Sequence, residues 1–138
     1  KSALSEMESI ESLVKREFGI DCSSIAHFYE VISNSIVLSK SNPLESWRRH
    51  FSDNSLLGQF SEVLGFGVSP FGMRFARSSE GPNQTNWFEA KIEPQIPNTD
   101  RQHYVNIILR DSRREIVYSF VRSFDETLKK LMSLVEQE

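Results

Sequence analysis

Only one cysteine, Cys22, occurs in the 138 residues. An internal disulfide is therefore excluded, and the sparse thiol usage suits a reducing compartment. An intracellular, cytoplasmic location is the corresponding expectation. Histidine is scarce too. None of His27, His50 and His103 lies three or four residues from another or from Cys22. Zinc requires several such ligands converging in a tetrahedron, so no metal is expected. Long apolar runs are also missing. None approaches the roughly 20 residues of a membrane span, and no apolar leader core precedes the first helical pattern. The chain reads as soluble, with no membrane partner. It opens on Lys1 rather than Met, which is compatible with excision from a longer protein.

Catalytic signatures are equally thin. Gly67 to Gly72 has the glycine spacing of a phosphate loop, but Met73 and Arg74 stand where Lys and Ser or Thr are needed. The glycines read as serving a bend. No Gly-x-Ser-x-Gly elbow occurs. Cys22 and His27 are five residues apart and share no clear helical face. Neither a catalytic residue nor a cofactor is expected. A pocket between residues 55–64 and the sheet, near Arg74, Arg77 and His103, is the alternative for a small-molecule binder or an enzyme of unspecified reaction.

No excess of basic charge is present. Lys and Arg number 16 against 19 Asp and Glu, a net charge of −3, and the pI is about 5.7. A polyanion partner calls for a concentrated basic surface, so nucleic acid is disfavoured. The 38% hydrophobic and 25% charged content is that of a globular protein. One domain spanning 1–138 is expected, with a helical part at 1–65 and a sheet plus closing helix at 66–138. Such a chain buries about two-thirds of its unfolded surface.

What the chain does have is a periodicity that changes midway. Met7, Ile10, Leu13, Val14 and Phe18 recur at helical spacing up to Gly19. Asp21 or Ser23 can cap a second helix carrying Ile25, Phe28, Tyr29, Ile32 and Ile36. A strand there would place Glu30 and Asn34 beside Phe28 and Ile32. Asn42 before Pro43 reads as a helix cap. Leu56, Leu57, Phe60, Val63 and Leu64 form another stripe, closed by Gly65. From Phe66 the period becomes two. Phe66 to Val68 and Met73 to Arg77 read as extended. Trp87 to Ile92 alternates, with Phe88, Ala90 and Ile92 on one side and Trp87, Glu89 and Lys91 on the other.

The C-terminal stretch carries the clearest pattern. Tyr104 to Arg110 reads as a strand, Asp111 to Arg114 as a turn, and Glu115 to Val121 as a second strand of a hairpin. Ser123 and Glu126 have capping-box spacing before a helix with Phe124, Leu128, Leu131, Met132 and Val135 on one stripe. The fold class is α+β: N-terminal helices, a roughly four-stranded antiparallel meander and a C-terminal helix packed on it.

In that hairpin one face holds Val105, Ile107 and Leu109 and should be core. The other holds Tyr104, Asn106, Ile108 and Arg110 with Val117 and Val121. It is more apolar than a wetted sheet face should be. The leading reading is a non-catalytic adaptor-like module that binds another protein or its own copy through Tyr104, Ile108, Arg110, Val117 and Val121. The alternative is a single-stranded nucleic-acid binder, with Trp87 stacking bases and Arg74 and Arg77 holding phosphates. Against it stand the acidic pI and the lack of an RNP-type string.

Overall fold

A computed structural model describes residues 2–79 and 81–136. The elements run α1 (Ala3–Phe18), α2 (Cys22–Ile25), β1 (Tyr29–Leu38), α3 (Pro43–His50), α4 (Ser55–Leu64), β2 (Met73–Ala76), β3 (Trp87–Pro94), β4 (Gln102–Asp111), α5 (Arg114–Arg122) and α6 (Phe124–Val135). The class is α+β, with helices toward both ends and an antiparallel sheet ordered β1-β4-β3-β2.

Local chemistry sets most element ends. The side chains of Asp21, Asn42 and Asn54 each accept a backbone N–H at the start of α2, α3 and α4, satisfying donors that the helix leaves orphaned. Pro43 occupies the first turn of α3. Gly72 has φ +146, and a Cβ there would sit 2.5 Å from the carbonyl oxygen of Ile92. Only glycine lets the chain enter β2 so close to β3.

One face of the sheet makes the core. β4 directs His103, Val105, Ile107, Leu109 and Asp111 inward, and all are buried. α6 lays Met132 and Val135, and α3 lays Trp47, against Ala90, Ile92, Val105 and Ile107. α5 lays Val117 and Tyr118 on Tyr29 and Leu109. Leu4 brings α1 to that second cluster, and the Arg114 guanidinium forks onto both carboxylate oxygens of Glu11. That hydrogen bonding holds the Glu11 carboxyl below its usual range.

Two segments differ from the expectation. Residues 115–121 are not the second strand of a hairpin; they lie within α5. Residues 29–38 are not helical; they form β1. The two differences have one cause. A strand has two hydrogen-bonding edges, and those of β4 are filled by β1 and β3, so residues 115–121 have no edge to join. Asp111 turns the chain off the sheet. Its Oδ1 accepts the backbone N–H of Arg113 at 2.9 Å, and the Arg113 guanidinium holds both carboxylate oxygens. Those hydrogen bonds lower the Asp111 pKa.

Smaller differences follow. The capping box at Ser123 does not form, because only that residue separates α5 from α6. Its hydroxyl donates back to the carbonyls of Ser119 and Phe120. Phe66 to Val68 lies outside the strands. The expected sides of β3 hold, with Ala90 and Ile92 buried in the core and Phe88 packed against it. Trp87 and Glu89 on the other side are buried as well, so that side is not the wet one its polar residues suggest.

Candidate functional site

Strand alternation sends a second set of side chains to the side away from the helices. They are Glu30, Ile32, Asn34, Ile36 and Leu38 of β1 and Tyr104, Asn106, Ile108 and Arg110 of β4. Trp87, Glu89, Lys91 and Glu93 of β3 continue the face. Among the described residues, the helices that pack on the sheet contact its inner side. The outer side is correspondingly open along β1: Ile32 is 57% exposed, Ile36 61% and Leu38 75%. Tyr104 and Ile108 are half-buried, opposite Ile36 and Ile32 in the ladder.

The polar groups on this face hold one another. Arg110 reaches Glu30 at 2.6 Å, and its guanidinium lies 4.8 Å from the centre of the Phe28 ring. The Oδ1 of Asn34 accepts from the Tyr104 hydroxyl at 2.6 Å and from the Asn106 amide at 2.9 Å. Lys91 pairs with Glu93 at 2.8 Å and approaches the Tyr104 ring. Arg74 pairs with the buried Glu89 at 2.8 Å, a hydrogen bond that raises the Arg74 pKa. Trp87 is buried, directly opposite Arg110. The face therefore offers apolar patches between neutralised charges.

Of the expected interface residues, Tyr104, Ile108 and Arg110 share this face. Val117 and Val121 do not, because both lie on α5. Val117 is buried against Tyr29 and Leu109, and Val121 is half-buried. Trp87 and Arg74 reach the face, but one is buried and the other ion-paired. Arg77 follows β2, and its backbone N–H donates to the Phe88 carbonyl. Ile32, Ile36 and Leu38 were not anticipated as surface residues. The β-branched run from Val31 to Val37 was the available signal.

A separate apolar groove of about 570 Å³ is lined by Trp47, Phe51, Met73, Phe75, Leu131 and Leu134, among others. It lies between α3, α6 and the β2 side of the sheet. Neither α4 nor Arg74, Arg77 or His103 lines it, so it is not the pocket expected near those residues. His103 is instead fully buried, edge-on to Trp47 with ring centres 6.4 Å apart. Neither of its ring nitrogens has a hydrogen-bond partner among the described residues, and burial lowers its pKa.

Among the described residues, no three His, Cys, Asp or Glu side chains gather as a metal site. No described helix is long and apolar enough to cross a membrane. Comparison with known protein families, curated proteins and solved structures finds no match to this chain.

Proposed function

We propose that the chain is a non-catalytic protein-interaction module that docks another protein or its own copy on the outer face of its sheet. One observation carries the reading. The exposed Ile32, Ile36 and Leu38 adjoin Tyr104 and Ile108 on a face that the packed helices leave open. Large contiguous apolar patches on a protein surface mark contact or ligand sites, whereas singly scattered apolar residues do not. The charges around it are already paired. A partner therefore need not strip water from isolated ions, a large cost at interfaces.

The same pairing favours protein over single-stranded nucleic acid as the partner. Phosphate binding draws on cations available to release counterions, whereas Arg74, Lys91 and Arg110 each hold a glutamate. Base stacking needs an accessible ring, and Trp87 is buried.

The test compares the parent with Ile108→Asp, which places a charge inside the apolar row, once circular dichroism has shown that the variant folds. Affinity capture from cell extract should show proteins held by the parent and lost with the variant. Light scattering across a concentration series reports self-association. A parent that stays monomeric, with a folded variant that retains the same partners, would overturn the proposal.

A further inference from the structure

Residues 31–37 read Val-Ile-Ser-Asn-Ser-Ile-Val, the same in both directions around Asn34. This palindrome lies within β1, a ten-residue strand at the edge of the sheet. We propose that β1 pairs antiparallel with β1 of a second copy, about a two-fold axis through Asn34. The result is one continuous eight-stranded sheet. This goes beyond the face reading: the contact is made by the strand edge, and the outer face stays open.

The register follows from the palindrome. A two-fold antiparallel pair centred on Asn34 sets Val31 opposite Val37 of the second copy, Ile32 opposite Ile36, Ser33 opposite Ser35 and Asn34 opposite Asn34. Each residue meets its own kind, and both copies keep core-facing residues on the core side. A slip of one residue would set outer residues against inner ones. A slip of two would place Ile32 against Asn34 and lose the apolar cross-strand pairs. The isologous contact is the kind that a two-fold dimer requires.

The backbone is oriented for it. The Ser39 N–H donates to the Arg101 carbonyl at 2.8 Å, in line with the β1–β4 register. Strand alternation then turns the odd-numbered residues of β1 toward β4. Ile32, Asn34, Ile36 and Leu38 direct their N–H and C=O groups to the open edge. Asn34 would meet its copy as a hydrogen-bonded pair, and the full overlap supplies about ten backbone bonds. The usual safeguards of an edge strand are sparse here. No proline or lysine occurs within β1, and its single charge, Glu30, is bound to Arg110. On the helical side, a groove of about 480 Å³ runs beside Val37 and Leu38, with Leu128 and Met132 in its wall. It leaves space next to the edge. Across the seam, the outward Ile32 and Ile36 of the two copies would merge into one apolar stripe.

Sedimentation velocity from micromolar to millimolar concentration tests this. The parent should shift from monomer to dimer. Asn34→Pro removes an edge-facing N–H that the sheet itself does not use, and proline is tolerated at such edges. It should move the midpoint at least about tenfold higher in concentration. Asn34→Lys keeps the strand and its N–H but sets like charges at the axis, and it decides the matter if the proline variant does not fold. Ile108→Asp should leave the dimer intact. In a Cys22→Ser background, Asn34→Cys should oxidise to a covalent dimer, and Leu38→Cys, which would face Glu30, should not. A parent monomeric at every concentration overturns the proposal. So does a dimer that survives both Asn34 variants; if Ile108→Asp dissolves that dimer, self-association belongs to the sheet face. Equal cross-linking at positions 34 and 38 overturns the register.

Discussion

Glu30 and Arg110 face each other across the β1–β4 ladder, with a guanidinium nitrogen 2.6 Å from the carboxylate. This pair makes it tolerable for a charge to share a strand face with Phe28 and Ile32. Both side chains remain about a quarter exposed, at 26% and 25%, so water screens the attraction. A double-mutant cycle with Glu30→Ala and Arg110→Ala should give a coupling of about 0.5–1 kcal/mol in urea unfolding. It should shrink as salt rises. A coupling above about 2 kcal/mol would mean that the pair is far less hydrated than its exposure indicates.

His103 should make stability fall in mild acid. Burial lowers its folded pKa, with Glu136 acting in the opposite direction. Below the unfolded value near 6.5, the unfolded chain therefore binds a proton that the folded chain refuses. Stability rises with pH wherever the unfolded state binds more protons, so it is lost as pH drops from about 6.5 toward the depressed folded value. His103→Leu should flatten the urea midpoint between pH 6.5 and 5. At pH 7 it should be neutral or stabilising, because it removes two buried nitrogens that have no hydrogen-bond partner among the described residues. An undiminished slope in the variant would locate the acid sensitivity elsewhere.

Two glycines should respond in opposite directions to alanine. At Gly72 the new Cβ would meet the Ile92 carbonyl oxygen at 2.5 Å with φ at +146. A loss of about 1–3 kcal/mol is expected. Gly58 lies within α4 with nothing within 4 Å of its would-be Cβ. Gly58→Ala should add about 0.5–1 kcal/mol through helix propensity alone. Urea midpoints of the two variants measure both, and a neutral Gly72→Ala would show that β2 can shift away from β3.

What local chemistry controls was legible along the chain. Asn42 with Pro43 marked the start of α3, and Gly19 and Gly65 marked the ends of α1 and α4. The alternation of Trp87 to Ile92 marked β3 and its two sides. The core face of β4 was legible for the same reason: Val105, Ile107 and Leu109 are all apolar and two residues apart. The shared side of Tyr104, Ile108 and Arg110, three of the five residues expected on one face, was legible with it.

Only the tertiary structure decided which segment lies beside β4. Ile116, Tyr118 and Phe120 alternate like a strand, yet Val117, Tyr118 and Val121 also fit one side of a helix. Residues 29–38 are ambiguous in the reverse sense. Local propensity cannot separate these choices, because β pairing joins residues far apart in sequence: Tyr29 with Asp111, and Leu38 with Gln102. Once β1 fills the second edge of β4, residues 115–121 must form their hydrogen bonds within themselves, as a helix. That exchange carried Val117 and Val121 off the candidate surface, brought Ile32 and Ile36 onto it, and left the palindrome at an open edge.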